Sequence, residues 1–176
     1  GYWDQSVIPS PAELQVGRID MHDMTGFALS EEELTRQYLN KNHAYRHKII
    51  NPARRALLNT HLDNSIPYTS AVAWRSFAPM LGSTNIASIN TNGCAGNGSC
   101  HIFMDSLQAH SYLWTYMAGG GTDTSFANPV MSSSQCINLN LNTIFMQLYG
   151  SYFVEWAKGG ITGTTNHLLR APLANA

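Results

Sequence analysis

Residues 100–119 read Cys-His-Ile-Phe-Met-Asp-Ser-Leu-Gln-Ala-His-Ser-Tyr-Leu-Trp-Thr-Tyr-Met-Ala-Gly, and the fold class turns on them. Ile102, Met104, Leu107, Leu113 and Met117 recur near helical spacing, and glycines 119–121 supply a stop. The spacing therefore predicts one helix of about five turns over this stretch. A longer helix is expected from about Ser134 to Ala157, carrying Ile137, Leu139, Leu141, Ile144, Phe145, Leu148, Tyr152, Phe153 and Trp156 on more than one face.

Helix signals also precede it. Ser30-Glu-Glu-Glu33 has the form of a capping box, with three carboxylates at the positive end of the helix dipole, and predicts a helix over 31–48. Asn51-Pro52 suits the start of a second helix through Leu57, Leu58 and Leu62. Thr69-Ser70 opens a third, carrying Val72, Trp74, Phe77 and Met80 and ended by Pro79 and Gly82. The polar stretch 83–98 reads as a connection with room for an extended piece or a small hairpin, and 122–134 as a loop. The tail after Gly159-Gly160 reads as a strap carrying Leu168, Leu169 and Leu173. The expected fold is mainly α: an irregular arm over 1–29, where Pro9, Pro11, Gly17 and Gly26 interrupt, then a single helical domain over 30–176. Within that domain a charged helical pair, 30–63, precedes a low-charge half, 64–176.

Charge separates the two halves sharply. The first 63 residues carry fifteen of the twenty-one fixed charges, whereas 64–154 carry only Arg75, Asp105 and Asp123. Soluble domains devote about a quarter of their residues to fixed charge, and interface centres are depleted in it. A net charge of -1 gives no general field for nucleic acid. At 44% hydrophobic residues the chain can fold, yet Asn138, Asn140, Asn142 and Gln147 interrupt its most apolar region, so no membrane span is expected. Opening on Gly1-Tyr2-Trp3 with neither Met nor a leader-like stretch, the sequence reads as a mature, processed or trimmed form.

The three cysteines are Cys94, Cys100 and Cys136. Cys94 and Cys100 flank Ala-Gly-Asn-Gly-Ser, turn-forming residues that let a short disulfide loop close, with pairing of Cys100 to Cys136 as the rival. The Asn-, Ser- and Thr-rich composition joins that bridge in pointing to an extracytoplasmic setting, periplasmic, secreted or at a surface.

Candidate chemistry is sparse. Cys100 at a helix start would have its thiol acidified by the helix dipole, and His167 could then act as its base in a Cys-His hydrolase. His43 and His47, four apart on a helix, could face one metal, but Lys41, Arg46 and Lys48 crowd them. Asp20, His22 and Asp23 match no calcium loop, and Cys94, Cys100, His101 and Cys136 lack paired zinc-knuckle spacing. No metal and no cofactor is therefore expected. The aromatics Tyr112, Trp114, Tyr116, Tyr149, Tyr152, Phe153 and Trp156 form the other concentration, suited to a contact surface. The functional expectation is a structural or assembly subunit of an extracytoplasmic complex, a homo- or hetero-oligomer acting by association with other protein chains. A Cys-His hydrolase and a small-ligand or metal-binding module are the alternatives.

Overall fold

A computed structural model describes residues 17–59, 61, 69–91, 101–126, 130–152 and 166–175. Its centre is a four-stranded parallel sheet, which overturns the mainly α expectation. In chain order the described elements are α1 (Glu31–Arg46), β1 (Ala56–Asn59), α2 (Thr69–Leu81), β2 (Ile86–Ile89), α3 (His101–Ala109), β3 (Tyr112–Ala118), β4 (Ser125–Phe126), β5 (Met131–Ser132), α4 (Ser133–Asn138), β6 (Thr143–Tyr149) and α5 (Ala171–Ala174). The parallel strands lie in the order β2-β1-β3-β6, and β4 and β5 form a separate antiparallel pair.

Two expected helices dissolve into strands for one physical reason. A parallel strand covered on both faces is apolar at successive positions, without the alternation that marks a half-exposed strand. Along Ala56-Leu-Leu-Asn59 all four residues are buried, so this run reads equally well as a helical segment. The five-turn helix divides likewise. Its first half is α3, which buries Phe103, Met104 and Leu107, while Tyr112–Ala118 is β3, where the aromatic and β-branched run Tyr-Leu-Trp-Thr-Tyr favours a pleated backbone. Leu113 and Met117 keep helical spacing by coincidence.

The expected helix over 134–157 divides in the same way. Ser132 and Gln135 make a complete capping box for α4, but Thr143–Tyr149 is the outer strand β6, with Ile144, Met146 and Leu148 more covered than Phe145, Gln147 and Tyr149. Of the two forms expected within 83–98 the extended one holds, as β2, which pairs parallel to β1, whereas the expected loop at 122–134 holds β4 and β5.

Other expectations hold. Helix α1 begins at Ser30 with the full reciprocal cap, its hydroxyl accepting from the Glu33 amide and the Glu33 carboxylate accepting from the Ser30 amide. Helix α2 passes through Pro79, which does not end it as expected, and stops at Leu81, where Gly82 takes a φ of 88°, a left-handed conformation that costs a glycine nothing. The charge boundary at residue 63 is not a boundary in space, because β1 from the charged half lies between β2 and β3 of the low-charge half.

Right-handed crossovers place the helices. The chain moves one way from β1 to β2 and the opposite way from β2 to β3, so α2 and α3 must cover opposite faces. On one face α2 sets Phe77 and Leu81 against Leu58, Tyr116 and Ala118. On the other, the larger core joins α1, α3, α4 and α5 through Leu34, Phe103, Met104, Leu107, Cys136 and Ala171 against Leu57 and Met117.

The 17–29 segment is irregular, as expected, yet firmly attached. Buried Arg170 donates to the His22 carbonyl at 2.6 Å and lies 3.5 Å from the Asp20 carboxylate. Burial works to raise the pKa of Asp20, but the His22 amide, Arg18 and Arg170 outweigh it and hold the carboxyl below its ordinary 3.8. A depressed carboxyl contributes stability that is fully present above the unfolded value and is lost as pH falls through the lower folded one. Urea midpoints measured from pH 5 down to pH 2 should therefore fall more steeply for the native chain than for Asp20→Asn; parallel acid limbs would contradict this account.

Candidate functional site at the carboxyl edge of the sheet

The order β2-β1-β3-β6 contains one reversal, between β1 and β3. The chain leaves these neighbours in opposite directions, and open α/β sheets bind ligands beyond the carboxyl ends of the strands at such a point. Three polar residues meet at this edge. Asn59 ends β1 and Thr91 follows β2, and both are completely buried. The Asn59 side-chain amide donates to the Thr91 hydroxyl at 2.8 Å, and the Asn59 side-chain oxygen accepts the His61 backbone amide at 2.9 Å.

This arrangement determines the state of the His61 imidazole. Its Nδ1 lies 3.2 Å from the Thr91 carbonyl and 3.3 Å from the Thr91 hydroxyl. A carbonyl only accepts, so Nδ1 carries the proton and donates it, which leaves Nε2 as the basic nitrogen of the neutral ring. The ring stands edge-on to buried Phe126, with centroids 6.3 Å apart. A half-buried imidazole of fixed tautomer can accept a hydrogen bond from a bound molecule or remove a proton from one.

The opposite side of the edge comes from β3 and β6. Gly119 donates to the Tyr149 carbonyl at 3.0 Å, and Gly121 bridges to Phe126. In the following turn the Thr122 hydroxyl accepts from the Thr124 and Ser125 amides, and the Leu168 amide donates to the Asp123 carbonyl at 2.7 Å. Glycines 119–121 thus follow a strand instead of ending a helix. Beyond β6, Tyr152 holds a φ of 66°, a left-handed conformation that is costly for an aromatic residue and tends to be kept at functional edges.

The residues singled out from sequence are scattered. Cys94 and Cys100 lie outside the described residues, as do Phe153 and Trp156. Cys136 is a free, buried thiol, which overturns its pairing with Cys100. Burial pushes that thiol up to about 12, so it should resist thiol reagents in the native protein and react only on denaturation. Fast native labelling at Cys136, located by peptide mass mapping, would refute this.

His167 is buried, and its Nδ1 accepts the Leu169 amide at 3.3 Å. That places the ring proton on Nε2, making this nitrogen a donor group where a general base needs an acceptor. The His43 and His47 rings lie tilted against each other with centroids 4.1 Å apart. His22 contacts the carboxylates of Asp23 and Glu31 at 3.0 and 3.4 Å. Among the described residues no three His, Cys, Asp or Glu side chains converge on a metal-sized site.

Of the aromatic set, Tyr112 and Tyr116 belong to the cores, Trp114 is half-buried, and Tyr149 and Tyr152 are exposed. Phe145, placed by sequence on the expected helix and outside this aromatic set, stacks on Trp114 with centroids 4.6 Å apart. Asn59, His61 and Thr91 were missed as well. The one signal for them was a polar residue ending each of two short apolar runs, and it acquires meaning only once those runs are known to be neighbouring strands. No protein family, curated protein or solved structure matches the chain.

Proposed function

We propose that this chain is a small-ligand-binding α/β module whose ligand sits at the carboxyl edge of the sheet against His61. The observation that carries this reading is the buried Asn59–Thr91 pair, which fixes the His61 tautomer beside the β1/β3 reversal. Two side chains withdrawn wholly from water to orient a third are costly unless all are hydrogen-bonded. Such outlay on one imidazole fits a recognition role. The ligand class that suits this edge is small and polar, with a hydrogen-bond donor for Nε2.

The test is a thermal-shift and calorimetric screen of nucleotides, sugars and small organic acids against the native chain and His61→Ala. A saturable ligand is expected whose affinity falls at least about tenfold in His61→Ala, the loss of a hydrogen bond to a basic nitrogen. Binding that is indifferent to the substitution, or no binding across the panel, would remove the proposal.

A second reading has its own observation. Helix α2 covers β1 and β2 and part of β3, and on the outer strand Phe145 and Tyr149 remain exposed beside half-buried Trp114. An uncharged aromatic flank of this kind suits association with another protein chain, and it carries with it the extracytoplasmic setting expected from composition. A monomer at high concentration by light scattering would count against it. No described helix is long and apolar enough to cross a membrane.

A further inference from the structure

We propose a second binding site, at the opposite end of the sheet, for a monocarboxylate with an apolar body. A partly open cavity of about 340 Å³ lies between α1, the amino ends of β3 and β6, and the α5 segment. Its volume falls within the range of small-molecule pockets, about 300–1,000 Å³. The wall is largely aliphatic, from Ile50, Leu141, Ile144, Met146, Leu148 and Leu173, and Ser111, Asn142 and Thr143 add polar groups.

One cation lines it. Lys41 reaches across from α1 and donates to the carbonyls of Leu173, at 3.2 Å, and Asn175. An ammonium has three N–H donors, so one remains for a bound acceptor. Among the described residues no carboxylate pairs with Lys41, in contrast to Arg18, Arg36 and Arg170. Burial lowers the Lys41 amine to about 8, the mark of a charge that is costly to withdraw from water. An anion seated beside it would relieve that cost.

Chemistry narrows the occupant. A single lysine with one remaining donor suits a monoanion, whereas a phosphate dianion calls for a fork of donors or several cations. The six aliphatic side chains suit a hydrocarbon body, because each CH₂ withdrawn from water onto an apolar wall favours binding. The two features sit at adjacent parts of one cavity and match the two ends of a medium-chain or branched carboxylic acid.

Octanoate is the probe and 1-octanol its uncharged counterpart, both titrated calorimetrically into the full chain. Octanoate should bind saturably and at least about tenfold more tightly than the alcohol, the advantage of a charge-assisted hydrogen bond. Lys41→Met should reduce octanoate to the affinity of the alcohol. Ile144→Trp, which fills the cavity from the β6 side and leaves the Lys41 contacts intact, should weaken both ligands by at least about tenfold. No saturable octanoate binding, equal affinity for acid and alcohol, or undiminished octanoate binding in Ile144→Trp would each overturn the site. The last measurement decides the matter even if Lys41→Met does not fold. Because His61→Ala should leave octanoate binding unchanged, failure here is separable from failure of the carboxyl-edge site.

Discussion

Arg170→Met is expected to lower the unfolding free energy by about 3 kcal/mol, the lower end of what removing one partner from a buried ion pair costs. The guanidinium is almost completely buried, lies against the Asp20 carboxylate and donates to the His22 carbonyl. Methionine fills much of the volume and supplies no donor, so the carbonyl and the carboxylate lose a partner together. Asp20 keeps Arg18 at 3.0 Å, which is why the upper end of the range is not expected. The double variant Asp20→Asn with Arg170→Met should lose less than the two single losses added together. Additive losses in chemical denaturation would show that the two side chains do not act as a pair. Limited proteolysis should also cut sooner within 17–29 in the single variant, since Arg170 ties that segment to the body of the protein.

Asn59→Leu is expected to cost about 2–4 kcal/mol and to abolish ligand binding at the carboxyl edge. Leucine resembles asparagine in size, so cavity formation contributes little. The loss comes from stranding the His61 amide and taking from the Thr91 hydroxyl the shorter of its two contacts, since a buried or partly buried group whose partner is missing costs about 1–3 kcal/mol. With the Asn59 link gone, the imidazole is no longer aligned to donate from Nδ1 to Thr91. Nitrogen-15 shifts of the His61 ring report the tautomer directly. In the native chain they should show the neutral ring carrying its proton on Nδ1, and in Asn59→Leu they should move toward the averaged values of a mobile ring. An unchanged tautomer together with unchanged stability would mean that the network is incidental. Thr91→Val, which removes the hydroxyl but keeps the backbone carbonyl, should have a smaller effect on the tautomer than Asn59→Leu.

The signals that could be read from the chain alone were local ones. Ser30 and Glu33 specify the start of α1 because both partners of the reciprocal cap lie three residues apart and need nothing from the rest of the protein. Gly82 marks the end of α2 by its own backbone freedom. Thr69-Ser70 and the serines near 133 marked the beginnings of α2 and α4 to within a residue or two. Charge poverty between residues 64 and 154 foreshadowed how much of that stretch would enter the cores or the aromatic flank.

The tertiary structure alone decided what Ala56–Asn59, Tyr112–Ala118 and Thr143–Tyr149 become. Each is short and apolar, and two of them are covered on both faces, so periodicity cannot separate strand from helix until neighbouring strands supply hydrogen bonds. The carboxyl-edge site depends on that choice more strongly still. Asn59 and Thr91 are 32 positions apart and meet because β1 and β2 lie side by side with Asn59 opposite Ile89, which carries the next polar residues to the same edge. Had 51–62 been helical, Asn59 would have been one more surface amide. Local hydrogen bonding could be written into three or four adjacent residues, whereas the site required a register between strands, and a register is a property of the packed sheet.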